Sequence, residues 1–278
     1  EMLACGATTV EVKSGYANSA VGELRLLRVI QSLRNERSLP EIRATFLALH
    51  ALPQGRDERE YADEMIAALG RVQAENLAAH VDAFPEKGFF TLDASLRFAQ
   101  AARKFKLPAK IHADELSDLG SSAAFIRSGA MSIDHLQCIS AEAVDLLSGS
   151  PTVATMLPAT SFFVGLPYAN ARRLTDAGAK VALATDFNPG TAPAMDLQLT
   201  HMLGASQMKM TAAEILCATT YNAACALGLG KSHGAIAPGR AGDVLLYEAR
   251  SGDPIATLEE IILSRRRPAV VVRRGQRV

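Results

Sequence analysis

The residues best suited to chemistry sit at the ends of short apolar runs. His112 closes the run in "KIHADE" (110–115), and a neutral imidazole at a strand end is a common ligand for zinc or iron. A lone histidine is more often a core residue hydrogen-bonded to backbone. His112 has company, however: Asp186, in "LATDFNPGT" (183–191), stands where an apolar run meets the turn-forming Asn188, Pro189 and Gly190. Such a carboxylate can simply cap a turn. Beside a histidine ligand it can bind a metal and take a proton from water, which zinc acidifies to a pKa of ~7. Glu115, His135 in "SIDHL" and His50 in "LALHALP" extend the set, each a loop or cap residue by itself and together able to hold a substrate and move protons. Asp114 reads as a helix cap. Tyr16, in "KSGY", either faces a site or packs on a Ser-Gly turn. His80, His201 and His233 show no partner pattern and read as structural, and Arg265, Arg266 and Arg267 as a solvated face.

Positioning these side chains requires the elements between them. Runs rich in β-branched residues fall at 8–16, 42–53, 79–86, 109–115, 131–137, 152–158 and 180–190. Amphipathic stretches separate them, at 20–33, 58–68, 93–104, 120–128, 141–148 and 169–177. Strand alternating with helix implies parallel strands, and about seven βα units is one short of a closed (β/α)8 TIM barrel. In such an α/β barrel the active site forms at the carboxyl ends of the strands, which would draw His50, Glu86, His112, His135 and Asp186 together. The barrel is expected over residues 1–230, with helical sequence through 211–229. Residues 231–278 read as the C-terminal part of a small β-sandwich module, with β-segments at 234–249 and 268–278.

The composition excludes several function classes. With 29 basic and 29 acidic residues among 278, 49% hydrophobic and 21% charged, the chain reads as a globular protein acting on a small molecule. Nucleic acid and membrane surfaces, which select a basic excess, are not expected partners. Cys5, Cys138, Cys217 and Cys225 form no Cys-x-x-Cys pair, which points to a reducing, cytoplasmic location.

In this order, "EVKSGY", "LALHALP", "KIHADE", "SIDHL" and "ATDFNPGT" resemble the imidazolonepropionase family of the metal-dependent amidohydrolase superfamily. The resemblance extends to "GAIAPGRAGDVLLYE" near the C-terminus. It implies hydrolysis of the ring C–N bond of 4-imidazolone-5-propanoate to N-formimidoyl-L-glutamate in histidine degradation, by a homodimer carrying one zinc or iron ion. By the same resemblance His112 and Asp186 are metal ligands, and Asp186 also takes the proton of the attacking water. Glu115 and His135 assist catalysis, and Tyr16, His50, Glu115, Asn188, Gly190 and Thr191 contact substrate. One motif is missing: family members carry a His-x-His pair at the end of the first barrel strand, and none occurs here. The abrupt start, "EMLACGA", reads as a helix end entering a strand, so the sequence is read as N-terminally incomplete. Two ligands are fewer than the three of a typical catalytic zinc site. Residues 1–278 alone are therefore expected to be inactive or poorly soluble. The rival readings are another amidohydrolase, such as a heterocycle deaminase or cyclic amide hydrolase, and a barrel that is catalytically incomplete or binds a ligand without turning it over.

Overall fold

All seven apolar runs form strands in the computed structural model, which describes residues 1–250 and 252–278. They lie in two compact units, Thr9–Leu146 and Glu1–Thr8 with Leu147–Val278.

In the unit Thr9–Leu146, β1 (Thr9–Lys13), α1 (Ala20–Ser32), β2 (Glu41–Leu49), α2 (Glu58–Ala74) and β3 (His80–Ala83) are followed by α3 (Leu92–Arg103), β4 (Lys110–Ala113), α4 (Ser121–Arg127), β5 (Ser132–His135) and α5 (Ala141–Leu147). The longer helices begin where the sequence supplies a cap: Ser19, Asp57 and Thr91 each accept a backbone N–H of the first turn of α1, α2 and α3. Pairing is parallel throughout, with Lys13 opposite Thr45, Thr45 opposite His80, and His112 opposite Asp134. A bridge between Val81 and Ala109 continues the sheet from β3 to β4.

Side chains alternate across a strand, so this register sorts the sheet into two faces. Val81, Ile111 and Ile133 share the face of Phe46, whose ring meets Phe98 of α3 edge-on at 6.0 Å. The other face carries Glu11 and Lys13, Thr45, His80 and Asp82, Lys110 and His112, and Ser132 and Asp134. Most of these polar residues are fully buried. Burial on this scale is tolerable only when the groups satisfy one another.

In the other unit, a 3-10 turn at Leu3–Cys5 ends on Gly6 (φ 97°), as the helix-like start of the sequence suggests. The order continues with β6 (Val153–Met156), α6 (Pro158–Val164), α7 (Ala171–Asp176), β7 (Lys180–Leu183), α8 (Leu197–Ser206), α9 (Ala212–Thr219) and α10 (Tyr221–Ala226). Strands β6 and β7 pair in parallel, Val153 opposite Lys180. A capping box starts α9: Thr211 accepts the Glu214 N–H, and the Glu214 carboxylate accepts the Thr211 N–H. The chain closes with β8 (Val244–Leu246), α11 (Pro254–Leu263), β9 (Val270–Arg273) and β10 (Gln276–Arg277), whose strands form an antiparallel sheet in the order β8, β9, β10.

Two features differ from the sequence reading. The β-segment expected at 234–249 is a strand only at Val244–Leu246, because "APGRAGD" places Pro238 and the positive-φ Gly239 in a turn. Helices α6 and α11 also went unread; both begin with Pro at the first turn, where its missing N–H costs nothing. Among the described residues no helix is long and apolar enough to cross a membrane.

Candidate active site

At the carboxyl ends of β1 to β5, Lys13 Nζ donates to Asp82 Oδ2 at 2.6 Å and to Asp134 Oδ2 at 2.8 Å. The second oxygen of each carboxylate is also engaged. Asp82 Oδ1 lies 3.1 Å from His112 Nδ1, and Asp134 Oδ1 accepts the Ser132 hydroxyl at 2.8 Å. Deeper in the same face, Glu11 accepts the Thr45 hydroxyl and lies 3.4 Å from Lys110 Nζ.

The charges decide the protonation states. Burial opposes the Lys13 charge, but Asp134, Asp82 and Glu11 outweigh it and raise the ammonium well above its usual range. Burial works against ionising Asp82, and His112 and Lys13 overcome it, so this carboxyl is pushed far down. Lys13 and Lys110 do the same for Asp134. His112, disfavoured as a cation by burial, is raised on balance by Asp82. His135 is driven well below its usual range by burial and by repulsion from His112, which keeps the ring neutral.

Above this network the predicted residues form a row of rings. The Tyr16 ring meets His50 edge-on at 5.3 Å, His50 lies 5.9 Å from His112, and His112 lies 5.1 Å from His135. Phe84 flanks His112 at 5.5 Å. Tyr16 is 60% exposed. The Glu115 Oε1 is 3.4 Å from His135 Nδ1, close enough for Coulomb attraction though not aligned as a hydrogen bond. His135 and Leu136 hold φ values of 83° and 73°, a left-handed turn that non-glycine residues rarely adopt and that re-aims the chain at the end of β5.

Buried carboxylates fix the loops that carry this row. Glu23 of α1 accepts the backbone N–H of Gly15 at 2.6 Å and of Ala17 at 2.7 Å, pinning the segment around Tyr16. Glu86 accepts from the Leu116 and Ser117 N–H groups at 3.0 and 3.2 Å, and from the Ser117 hydroxyl, just past Glu115. Glu86 thus holds a loop and does not itself line the row. Asp114 accepts from Ser121 and Ser122 at the start of α4, the capping role read from the sequence.

In the other unit, Asp186 has a φ of 52° and accepts the Thr160 hydroxyl at 2.6 Å. Its loop is organised by Asn188, whose Oδ1 accepts the Gly190 and Thr191 N–H groups at 2.9 and 2.8 Å and whose Nδ2 donates to the Asp186 carbonyl at 2.7 Å. Gly190 and Thr191 are exposed.

Tyr16, His50, His112, Glu115 and His135 are therefore gathered in one unit, and Asp186, Asn188, Gly190 and Thr191 lie together in the other. Lys13, Asp82 and Asp134 were not singled out from the sequence. Their signal was available: Glu11/Lys13, His80/Asp82, Lys110/His112 and Ser132/Asp134 repeat polar residues two apart inside otherwise apolar runs. Of the remaining histidines, His80 approaches the Thr45 hydroxyl at 3.5 Å, His233 that of Ser232 at 2.8 Å, and His201 is buried in α8.

Among the described residues no three His, Cys, Asp or Glu side chains are gathered so as to hold a metal by themselves. The donors present nonetheless fit a metal in kind. His112 is engaged at Nδ1, which leaves Nε2 as the ring nitrogen that could coordinate a metal, as in carboxylate–histidine–metal arrangements.

A sequence profile of the amidohydrolase family matches residues 58–278. The chain belongs to the amidohydrolase family. This amidohydrolase chain is 43% identical over 255 residues to the imidazolonepropionase of Thermoanaerobacter pseudethanolicus, and 44% identical over 256 residues to that of Caldanaerobacter subterraneus subsp. tengcongensis. Each match takes in 91% of this chain and 61% of the relative, so the chain spans about three fifths of the length of the curated relatives it matches. Among solved structures, a zinc-bound adenosine deaminase from Xanthomonas campestris superposes with a TM-score of 0.77 at 18% identity, covering 100% of this chain and 67% of that one. Atrazine chlorohydrolase from Arthrobacter aurescens, complexed with zinc, gives 0.78 at 18% identity, covering 99% and 69%. The fold is the (β/α) barrel of the amidohydrolases, as the strand-helix alternation implies.

Proposed function

We propose that this protein hydrolyses 4-imidazolone-5-propanoate to N-formimidoyl-L-glutamate. The observation that carries the reading is the 43–44% identity to imidazolonepropionases across 91% of the chain. It is supported by the ring row of Tyr16, His50, His112 and His135 at the strand ends.

In this reading His112, through Nε2, and Asp186 hold one divalent metal, zinc or iron, with further ligands from the His-x-His pair that the resemblance implies upstream. When bound, the metal supplies Lewis acidity to the ring carbonyl and to water. Asp186 takes a proton as water adds to the carbonyl carbon. The bond from that carbon to the ring nitrogen breaks, and the nitrogen leaves with the proton that Asp186 took from water, Glu115 and His135 assisting its transfer. Tyr16 and His50 hold the imidazolone ring, and the Asn188–Thr191 loop receives its propionate end through Gly190 and Thr191.

Residues 1–230 form the catalytic barrel in this proposal, and 231–278 the C-terminal part of a β-module. The substrate is a small molecule, with nucleic acid and membranes playing no part. The protein is a homodimer of the cytoplasm, where its four cysteines remain as free thiols.

The test is to give the full-length protein 4-imidazolone-5-propanoate and follow ring absorbance, N-formimidoyl-L-glutamate and ammonia together. Loss of absorbance with formation of N-formimidoyl-L-glutamate is expected. Ammonia release from a heterocycle, with the imidazolone untouched, would replace this reading with that of a deaminase.

A further inference from the structure

We propose that Asp82 is a positioning residue for the metal: its carboxylate holds the His112 ring with the proton on Nδ1 and thereby presents Nε2 as the ligand atom. The inference rests on the metal-dependent reading above. The geometry engages both oxygens of Asp82. Its side chain is fully buried, with Oδ2 on Lys13 Nζ at 2.6 Å and Oδ1 3.1 Å from His112 Nδ1, so neither oxygen is left to coordinate a metal or touch substrate.

The register explains why this residue can do it. Asp82 on β3 and His112 on β4 lie on the same face of neighbouring strands tied by the Val81–Ala109 bridge. Lys13 reaches them from β1 and fixes the carboxylate by a second bond, so Asp82 cannot swing away from the ring. An imidazole held at one nitrogen by an anchored acceptor has its tautomer and plane fixed, and losing such an outer partner typically weakens metal binding by ~10–100-fold.

Asp134 supplies the control. It shares Lys13, at 2.8 Å, but its other oxygen goes to Ser132 and not to a histidine. In the full-length protein, Asp82→Asn should weaken zinc binding, measured by competition with a chromogenic chelator, by ~10–100-fold. Asp134→Asn disturbs the same lysine and should change the affinity far less, and Asp82→Glu should restore part of the loss. Equal weakening by both Asn variants would reduce Asp82 to one more structural charge and overturn the proposal, as would unchanged affinity in Asp82→Asn. Wild-type protein that binds no metal would remove the metal-dependent reading of function instead. The ring tautomer is decided separately, even if a variant fails to fold. Nitrogen-15 shifts of His112 in metal-free wild-type protein, at a pH where the ring is neutral, should place the proton on Nδ1. A proton on Nε2 would overturn the proposal.

Discussion

The unit Thr9–Leu146 and the unit containing Asp186 hold their functional side chains in opposite ways. In the first, several groups are fixed by partners distant in sequence: Lys13 by Asp82 and Asp134, His112 by Asp82, and the loop past Glu115 by Glu86. In the second, Asn188 bonds residues two and three positions away, and Thr160 reaches Asp186 from farther along the chain. Their buried titratable groups differ too. The first unit pairs its charges, whereas His201 of the second is buried with neither ring nitrogen hydrogen-bonded. Long-range pairing makes a site as rigid as its sheet. A local turn makes one that survives changes in the sheet.

The largest effect is expected where that pairing is broken. Replacing Lys13 with Met leaves Asp82 and Asp134 buried without their shared cation, and should cost about 3–5 kcal/mol in urea denaturation. A loss below about 1 kcal/mol, typical of an exposed pair, would mean that water reaches these carboxylates and that the contrast between the units is weaker than drawn.

Acid should find the opposite weakness. Burial lowers the His201 pKa to about 4, while in the unfolded chain it titrates at ~6.5. A depressed histidine pKa leaves stability intact above ~6.5 and erodes it as pH falls toward 4, because the unfolded chain takes up the proton first. The loss should approach about 3 kcal/mol across that window. His201→Leu should flatten this part of the stability profile, and an unchanged slope would show that His201 is not the group responsible.

How much was legible in advance follows from the same contrast between distant and local partners. Seven strands and the helices between them other than α6 were readable because alternation and caps are local signals. His112, Glu115 and Asp186 stood out because titratable residues are conspicuous at the ends of apolar runs. Asp82 and Asp134 were not, since a mid-strand carboxylate looks like a solvent-facing alternate until the parallel register turns its face inward toward Lys13. Glu23, and the loop-holding role of Glu86 in place of the site position expected for it, were opaque for a similar reason: their partners include backbone N–H groups of loops, which the sequence does not mark. Asn188, Asp114 and the Thr211 capping box lie at the other extreme, with partners within a few residues.

Smaller effects separate long-range from local clamps. Glu86→Gln keeps one good acceptor where the carboxylate offered two, and should cost about 1–3 kcal/mol, seen as faster hydrogen exchange at the Leu116 and Ser117 amides. Unchanged exchange would show that Glu86 does not hold the loop carrying Glu115. Asn188→Ala should cost about 1 kcal/mol, confined to exchange at Gly190 and Thr191. If loosening spread to β6 and β7, the loop would not be the self-contained turn described.

The most direct measurement is metal content beside kcat/KM for 4-imidazolone-5-propanoate, in the full-length protein and in its His112→Ala variant. The expected result is that the variant loses metal and activity together, by more than the ~100-fold that removing an outer partner costs. A His112→Ala protein that kept both its metal and its turnover would contradict the assignment of the strand-end row as a metal-dependent hydrolytic site.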